Sequence, residues 1–362
     1  MNLKKTFQNK TVIVTGHTGF KGSWLSLWLK MLGAKVIGIS INVPSGNSHF
    51  KSINLQKKIK HIKMDIRNLK ILKRNFKKYQ PDFIFHLAAQ SLVKTSYSDP
   101  IYTWTTNTIG TLNVLESLRE LKKKCIAVII TSDKSYKNLE IRRGYKEDDI
   151  LGGSDPYSAS KGSAELAIQS HISSFLTSKK TKVLIGIARA GNVIGGGDWS
   201  QNRLIPDCVR SWSKDKKVLI RNPNSTRPWQ HVLEAVGGYL KLAENLKKNQ
   251  KLHGEAFNFG PNHIRNYKVL HVVRLMKKYW DKVSWKIANK SRNNFYESNL
   301  LKLNTNKSKK KLKWKSILTL NETISMVAEW YKDYYLNRKK IYKTSFNQIK
   351  KYEKLLKKRT GI

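Results

Sequence analysis

The sequence has 362 residues, 40% of them apolar, so the chain can bury one large core or two modest ones. No stretch approaches the roughly 18 uncharged apolar residues that suggest a membrane-spanning helix, and the start of the chain does not read as a signal peptide. We therefore expect a cytoplasmic protein without membrane insertion. The chain carries 70 Lys and Arg against 24 Asp and Glu, a formal net charge of +46.

The positive charge is spread along most of the chain, without the interleaved aromatic residues of a base-stacking surface. This argues against specific nucleic-acid binding and favours a general lysine-rich bias. The charge does favour attraction of a polyanionic small molecule such as a nucleotide diphosphate. The two cysteines, Cys125 and Cys208, lie far apart and outside any metal-binding spacing, so we expect reduced, buried thiols and no metal site.

A glycine-rich turn follows the first predicted strand, Thr11–Thr15, and leads into an amphipathic helix, Ser23–Leu32. Strand, glycine turn and helix form the context in which a dinucleotide binds, although an ordinary strand-to-helix turn is the alternative. Gly16 permits the tight turn, Gly19 lets a pyrophosphate approach the backbone, and Gly22 lets strand and helix pack closely. The residues of the turn assigned to cofactor binding are Gly16, His17, Gly19, Phe20, Lys21 and Gly22.

The second strand, Lys35–Ile41, ends without the acidic residue that usually binds the adenosine ribose of NAD. Asn42 can still form hydrogen bonds with hydroxyl groups, and no arginine follows to bind a 2′-phosphate, so NAD is preferred over NADP. The third strand, His61–Asp65, places Asp65 and Ile66 against the adenine, with a surface or helix-capping role for Asp65 as the alternative.

The fourth strand, Asp82–His86, leads into small residues that allow a cofactor to lie across its end. His86 itself is interpreted as structural. Asn107, within the next helix, can brace the backbone of the site and is grouped with the cofactor residues. The residues that follow the strand are assigned to the cofactor (Leu87, Ala88 and Ala89) and to the substrate (Gln90 and Ser91).

The fifth strand ends in the polar segment Ser132–Lys134, and a predicted helix over 156–177 carries Tyr157 and Lys161. Their four-residue spacing puts both side chains on one helix face, where the ammonium can stabilise the phenolate and lower the tyrosine pKa. Such a tyrosine can take a proton from a sugar hydroxyl while hydride leaves for a nicotinamide. Because this spacing also occurs by chance, its meaning depends on the neighbouring motifs.

A sixth strand, Lys182–Ala188, completes a regular alternation of strands and helices. The alternation predicts an α/β fold, a Rossmann-type doubly wound parallel sheet with a smaller C-terminal α/β substrate-binding domain. Ligands bind at the carboxyl ends of the strands in such sheets. The tail has apolar residues at helical spacing, so we expect a docked terminal helix there rather than a disordered basic arm.

Beyond Arg189 the sequence contains a glycine-rich loop that ends in Asp198 and Trp199, and then three loop arginines. Arginines together with tryptophan and histidine suit a diphosphate and a flat base better than they suit a core. Any one arginine could instead be an exposed salt-bridge residue, so the prediction rests on the cluster. The predicted substrate residues in this half are Asn192, Arg203, Leu204, Arg221, Arg227 and His231.

Taken together, these motifs resemble the CDP-glucose 4,6-dehydratases, a nucleotide-sugar branch of the extended short-chain dehydrogenase/reductase family. The similarity runs over nearly the whole chain from about Lys10. The segments that carry it are TGHTGFKG, the DI after the third strand, HLAAQ, SDK, PYSASKGSAE, RAGNVIGGGDW, NRLIPDCVR and IRNPNSTRPWQHVLEA. GGGDW and RNPNxxRPWQHV are specific to this branch, whereas the glycine turn and the tyrosine–lysine spacing are shared by the superfamily.

The resemblance implies a lyase that uses NAD to convert CDP-D-glucose to CDP-4-dehydro-6-deoxy-D-glucose and water. Tyr157 would accept the C4 hydroxyl proton during hydride transfer to NAD, with Ser132 bridging phenol and substrate and Lys161 holding the nicotinamide ribose. Lys134 would remove the C5 proton, Asp133 would protonate the leaving C6 hydroxyl, and the hydride would return to C6.

The pair Asp133 and Lys134 favours a dehydratase, because simple 4-epimerases typically lack acid and base there. Related dTDP-glucose dehydratases have glutamate in place of Lys134, yet the nucleotide base is assigned through the resemblance alone. A structural salt bridge between Asp133 and Lys134 is the alternative. Ser132 stands where threonine is common, and both offer a hydroxyl. The other hypotheses are another NDP-hexose 4,6-dehydratase, a 4-epimerase, and an inactive basic Rossmann binding protein.

The resemblance also implies a homodimer or homotetramer, paired through Tyr97–Leu121 and Pro156–Leu176, and a role in deoxysugar biosynthesis for lipopolysaccharide O-antigen. The predicted NAD-binding domain covers 1–188 and about 229–262. The predicted nucleotide-sugar-binding domain covers 189–228 and 263–362.

Overall fold

The computed structural model of the protein describes residues 2–44, 46–177, 181–201, 203–261, 267–288 and 301–361. Its strands are β1 (Thr11–Thr15), β2 (Lys35–Ser40), β3 (Lys60–Lys63), β4 (Phe83–His86), β5 (Cys125–Ile130), β6 (Val183–Ala190), β7 (Val193–Ile194), β8 (Val218–Ile220), β9 (Thr226–Arg227), β10 (Gln230–His231), β11 (Ala256–Phe259), β12 (Tyr267–Lys268) and β13 (Trp285–Ile287).

The helices are α1 (Leu3–Phe7), α2 (Phe20–Met31), α3 (His49–Ser52), α4 (Leu69–Tyr79), α5 (Val93–Ser98), α6 (Pro100–Trp104), α7 (Gly110–Arg119), α8 (Pro156–Phe175), α9 (Leu204–Trp212), α10 (Val232–Lys248), α11 (Val269–Lys277), α12 (Asn306–Leu312), α13 (Leu320–Leu336) and α14 (Ile341–Thr360). A π-helical turn, Thr105–Ile109, joins α6 to α7.

Seven parallel strands form the central sheet of the described chain, in the order β11-β6-β5-β4-β1-β2-β3. From β1 the chain continues through β2 to β3 at one edge of the sheet. It then returns to β4, which lies on the other side of β1, and continues through β5 and β6 to β11 at the opposite edge. The predicted Rossmann-type doubly wound sheet is therefore confirmed. The direction of strand order changes between β1 and β4, and a crevice for ligands opens at such a point.

Both faces of the sheet are buried, which explains why its strands read as continuous apolar runs. Ile13 and Ile84 belong to an apolar cluster on one face, with residues of α4, α7 and α8. Val12 and Val14 belong to a second cluster, which includes residues of α2 and α10 and extends into the second lobe. Each fully buried aliphatic side chain contributes about 1.5–3 kcal/mol to folding.

Several boundaries differ from the predicted ones. Helix α2 begins at Phe20, three residues earlier than predicted, because Gly19 already occupies the N-cap position. Strand β3 covers Lys60–Lys63 and ends before Asp65. Helix α8 begins at Pro156 as expected, since Asp155 accepts a hydrogen bond from the Ser158 N–H at 3.0 Å.

The terminal helix α14 is docked, as the apolar spacing predicted. Tyr352 donates a hydrogen bond to Glu234 on α10 at 2.8 Å, and Trp28 on α2 donates to Glu353 at 2.9 Å. Helix α12 also reaches the first lobe, where the Ser308 hydroxyl donates to the β11 backbone at 2.6 Å. Helix α14 also packs on α13, where Gln348 Nε2 donates to the Met326 carbonyl at 2.7 Å, so α14 contacts both predicted domains.

Within the described ranges, no helix is both long and apolar enough to cross a membrane. Nor do three or more side chains that bind metals cluster anywhere in that part of the chain. Cys125 and Cys208 are buried free thiols, as predicted, and burial raises the pKa of each.

Candidate active site

A cavity of about 1120 Å³ lies where β1, β4, β5 and β6 end. Pockets for one small ligand usually measure roughly 300–1,000 Å³, so this space is large enough for two ligands. Most of the predicted site residues border it. They are Gly16, Gly19, Phe20, Lys21, Gly22, Asp65, Ile66, Leu87, Ala88, Ala89, Ser91, Ser132, Asp133, Lys134, Tyr157, Lys161, Asn192, Arg203, Leu204, Arg221 and Arg227.

Both predicted ligand-binding histidines, His17 and His231, are buried and lie outside the cavity lining that the described residues form. The ring nitrogens of His17 lie 3.0 Å from the Ser40 hydroxyl and 2.7 Å from His61. His231 caps α10 by accepting from the Leu233 N–H at 3.3 Å. Burial lowers the pKa of His17 to about 4 and that of His231 to about 3, so both rings are neutral.

Gln90 and Asn107 also lie outside the lining of the cavity that the described residues form. The Asn107 side chain accepts from the Gln90 N–H at 2.9 Å and donates to the Gln90 carbonyl at 3.0 Å and to the Ser160 hydroxyl at 2.9 Å. These bonds match the bracing role that the sequence suggested for Asn107. The Gln90 side chain accepts from the Leu92 N–H at 2.6 Å and so shapes its own loop.

The interpretation of His86 as structural is supported by its contacts. Its two ring nitrogens lie 2.7 Å from the Thr15 hydroxyl and 3.1 Å from the Thr111 hydroxyl. Burial lowers the pKa of His86 to about 3. The ring joins β1 to α7 and is held neutral beneath the site.

The glycine turn has the geometry that a pyrophosphate needs. Gly16 has φ +74°, and a Cβ there would lie 2.6 Å from the Ala88 nitrogen. A Cβ on Gly22 would lie 2.2 Å from the Gly16 carbonyl oxygen. Gly19 caps α2 without a side-chain hydrogen bond, so the first N–H groups of the helix are not covered by a capping side chain. This cradle of backbone donors fits the diphosphate of a dinucleotide.

Asp65 and Ile66, the residues predicted to lie against an adenine, both border the cavity. Partial burial acts to raise the pKa of Asp65, but hydrogen bonds from the Arg67 side chain and backbone outweigh it and lower that pKa. The closest of these joins Arg67 Nη2 to Asp65 Oδ2 at 2.6 Å. Asp65 is therefore an ionised acceptor whose orientation is fixed by its neighbour.

Tyr157 and Lys161 border the cavity from α8, and both are buried. Burial raises the pKa of Tyr157, although the nearby Ser132 hydroxyl acts in the opposite direction. The expected lowering of this pKa by Lys161 is therefore wrong for the structure. Burial and the positive charge of Lys21 lower the pKa of Lys161 to about 8, so this ammonium is itself poorly stabilised.

Asp133 is buried at the end of β5 and accepts a hydrogen bond from the Ser132 hydroxyl at 3.0 Å. Burial raises the pKa of Asp133, while the positive charge of Lys134 opposes the rise. A carboxyl with a raised pKa can hold a proton closer to neutral pH and deliver it to a leaving group. Lys134 is half-buried at the same wall and has the amine that a base requires.

Asp198 is a site residue that sequence reasoning did not assign. It is buried at the cavity wall and accepts hydrogen bonds from the Ser200 N–H at 3.0 Å and from Arg203 Nη1 at 3.1 Å. Asp198 therefore orients Arg203. The signal was an acidic residue at the end of a glycine-rich loop, five positions before an arginine.

The other two loop arginines border the cavity as predicted. Arg227 donates to the Thr226 carbonyl at 2.9 Å, and Arg221 lies exposed at the rim. Lys21 borders the same cavity, and the charges of Arg203, Asp133 and Asp198 act on its pKa. Burial, together with Arg203, lowers the pKa of Lys21 to about 8. The cluster of cations suits a diphosphate.

Comparison with known proteins agrees with this geometry. The family model for GDP-mannose 4,6 dehydratase matches residues 13–327. The CDP-glucose 4,6-dehydratase of Salmonella typhimurium is 42% identical over 333 residues, which cover 91% of this chain and 92% of that protein.

Two solved structures share the fold at low sequence identity. The epimerase Mth375 of Methanothermobacter thermautotrophicus superimposes with a TM-score of 0.78 at 23% identity, covering 94% of this chain and 97% of that one. The UDP-glucose 4-epimerase of Brucella ovis, in complex with NAD, gives 0.74 at 19% identity, covering 89% and 98%. Because the family model covers most of the chain and a relative at 42% identity spans nearly all of it, the protein belongs to the GDP-mannose 4,6 dehydratase family of extended short-chain dehydrogenases/reductases.

Proposed function

We propose that the protein is a CDP-glucose 4,6-dehydratase, an NAD-dependent lyase. The observation that carries the proposal is that Asp133, Lys134, Tyr157 and Lys161 border one cavity at the carboxyl ends of the strands. An oxidation at C4 requires only the tyrosine half of this set. The acid and the amine are additionally required to eliminate water across C5 and C6.

The glycine turn, Asp65 and Ile66 would hold NAD, with Lys161 at its nicotinamide ribose. NAD supplies an acceptor for the C4 hydride and a donor of that hydride to C6. Tyr157 takes the proton of the C4 hydroxyl in its phenolate form, which the bridging Ser132 hydroxyl would stabilise by a hydrogen bond. Lys134 then removes the C5 proton, which the adjacent ketone has made acidic. Asp133 gives its proton to the C6 oxygen as the bond to C6 breaks, so one water leaves. Lys134 gives its proton back to C5 as the hydride reaches C6.

The arginine-bearing loops would bind the rest of the substrate. Arg203, Arg221 and Arg227 supply permanent positive charge for the diphosphate, and the predicted contacts of Ser91, Asn192 and Leu204 remain proposals. The choice of cytosine as the base is supported by the relative at 42% identity. We propose the cytoplasm and deoxysugar biosynthesis for O-antigen as the setting, in line with the branch that the sequence resembles.

We also propose a homodimer, or a tetramer built from it, that pairs through the predicted segments Tyr97–Leu121 and Pro156–Leu176. Exposed apolar side chains on these elements support the proposal, because a monomer would leave them in water. Ile101 is 72% exposed, Leu166 57% and Phe175 54%. Light scattering coupled to size exclusion should give at least twice the monomer mass, and Leu166→Asp should lower it. A monomer with the unaltered sequence would contradict this proposal.

The test of function is to incubate the purified protein, with NAD supplied, with CDP-glucose and dTDP-glucose separately and to follow the substrate mass. Loss of one water from CDP-glucose alone is the expected result. Loss only from dTDP-glucose would keep the reaction and overturn the base. No loss from either sugar, with NAD shown to bind, would contradict the proposal and favour an epimerase or an inactive binding protein.

A further inference from the structure

A buried ion pair lies directly behind the active-site wall. Arg189 on β6 and Glu165 on α8 are 1% and 0% exposed, and their Nη2 and Oε2 atoms are 2.5 Å apart. Arg189 Nε also donates to Glu165 Oε1 at 2.9 Å. Apolar residues can often replace a buried ion pair without loss of stability, so stability alone does not explain this one. Its other contacts indicate what it does.

The pair is attached to both ends of the segment that carries the proposed acid and base. Thr131, immediately before Ser132, donates its hydroxyl proton to Glu165 Oε1 at 2.6 Å. Tyr136, which follows the short helix Asp133–Ser135, accepts from Arg189 Nη1 at 2.7 Å. Tyr136 in turn donates to Asn258 Oδ1 on β11 at 2.8 Å. The four side chains of Thr131, Tyr136, Glu165 and Arg189 are called the Arg189 network below.

The same network is attached to the helix that carries the tyrosine half of the site. Glu165 follows Lys161 by four residues and Tyr157 by eight, so all three lie along one face of α8. Of the network, only Thr131 borders the cavity that the described residues line. Apart from the charge of Glu165, which acts to raise the pKa of Lys161, the network can act on chemistry only by fixing where the cavity-lining residues lie.

We propose that the Arg189 network is a positioning device. It fixes the distance and orientation of Asp133 and Lys134 relative to Tyr157 and Lys161. The proposal rests on the proposed function, in which one sugar must meet both pairs at neighbouring carbon atoms. A misplacement of about 1 Å can cost about 10²-fold in rate. A charged pair at the centre suits this role because it is directional, whereas apolar packing tolerates sliding.

Two conservative variants test the proposal without leaving a buried charge unpaired. Thr131→Val removes the hydroxyl at one end of the segment, yet Arg189 still pairs with Glu165. Tyr136→Phe removes the other attachment, yet Arg189 Nη1 keeps its bond to the Glu147 carbonyl at 2.9 Å. Tyr145→Phe is the matched control, because Tyr145 is equally buried and stacks on Tyr136 at 4.9 Å. Its hydroxyl contacts Asn138 instead of the network.

The first measurement is steady-state turnover of CDP-glucose, with rapid quenching and borodeuteride reduction of the bound sugar. We expect kcat to fall by about 10-fold or more in both network variants, with KM within about twofold of the unaltered value. A larger share of the sugar should be recovered with deuterium at C4 and its C6 hydroxyl intact, which marks a C4 ketone that has not lost water, because Asp133 and Lys134 are misplaced. The control should match the unaltered protein in rate and in this share. A fall in kcat with an unchanged share, or an equal fall in the control, would overturn the proposal.

The second measurement does not depend on activity. Backbone amide hydrogen exchange should accelerate at residues 132–136 in the two network variants, and the control should leave these amides unchanged. Unchanged exchange there in Thr131→Val and Tyr136→Phe would overturn the proposal. If the unaltered protein dehydrates no nucleotide sugar, the proposed function fails, while the exchange result still decides whether the network holds the segment.

Discussion

The two walls of the cavity hold their charged groups in opposite ways. On the first wall, formed by the end of β5 and by α8, Asp133, Tyr157 and Lys161 are buried. Burial raises the pKa of Asp133 and Tyr157 and lowers that of Lys161, so it favours the neutral form of each. On the arginine wall, Arg203 and Arg227 are partly exposed and Arg221 is exposed. Groups on the first wall are suited to exchange protons, and those on the second to keep a permanent charge.

This difference predicts where substitutions act. A buried group that transfers a proton in the transition state affects kcat, whereas an arginine that contacts the diphosphate throughout the reaction affects KM. The predictions below test this division, from the largest expected effect to the smallest.

Tyr157→Phe should lower kcat by at least about 10³-fold, because no phenol remains to accept the C4 hydroxyl proton. Calorimetry should show that CDP-glucose still binds with an affinity within a few fold. Tyr102→Phe, which changes a tyrosine at the cavity lining outside the proposed chemistry, is the control. Normal turnover by the Tyr157 variant would remove this residue from the mechanism.

Lys134→Ala should slow the elimination by about 10²-fold, as expected for the loss of a general base. Oxidation at C4 should persist, so exchange of the C5 proton with deuterium from the solvent should fall while the C4 ketone still forms. Lys137→Ala, three residues further along and exposed, is the matched control. If the exchange rate at C5 does not change, lysine is not the base.

Arg227→Ala should raise KM for CDP-glucose by about tenfold and change kcat by less than about twofold, since a hydrogen bond from a charged group contributes about 1.5–3 kcal/mol. Lys216→Ala, an exposed lysine outside the cavity lining of the described residues, should leave both constants unchanged. If Arg227→Ala changed kcat alone, the arginine wall would not be confined to substrate binding, and the proposed division between the two walls would be contradicted.

Glu234 tests whether a shifted pKa is by itself evidence of a catalytic role. Burial raises the pKa of this carboxyl from 4.5 to about 7, yet its partners are structural, the Ile317 and Leu318 N–H groups and Tyr352. Because the pKa is raised in the folded protein, its stabilising contribution is complete below about pH 4.5 and declines as pH rises toward 7. The decline amounts to at most about 3 kcal/mol.

Glu234→Gln keeps the shape of the protonated acid, so we expect a melting temperature that depends less on pH between 4.5 and 7, with kcat unchanged. Thermal unfolding at several pH values measures this. A pH dependence equal to that of the unaltered protein would show that Glu234 is not the titrating group.

The fold and the residues of the first wall could be predicted from the sequence, because their structural requirements are local. Gly16 must adopt a positive φ and Gly22 must have no side chain, and both requirements are visible as a spacing. Tyr157 and Lys161 are likewise linked by one turn of helix. Side chains that depend on distant partners could not be predicted in this way. His17 was assigned to the cofactor from its place in the turn, whereas in the structure its ring contacts the side chains of Ser40 and His61.

The same limit applies to His231 and to the ion pair of Glu165 and Arg189. His231 follows an arginine-bearing loop, yet in the structure its side chain caps the N-terminus of α10. Glu165 and Arg189 are 24 residues apart in sequence and meet only when β6 packs beside α8. Because burial depends on the assembled core, sequence alone also gave the wrong direction for the Tyr157 pKa.

The central claim is that one cavity removes a hydride from C4 and returns it to C6 of the same sugar. The most direct measurement uses CDP-glucose that carries deuterium at C4, and locates the label in the product by NMR and mass spectrometry. We predict that the deuterium appears at C6 of CDP-4-dehydro-6-deoxyglucose, without dilution by added unlabelled substrate. Recovery of the label at C4 in an epimerised sugar, or its loss to solvent, would contradict the account.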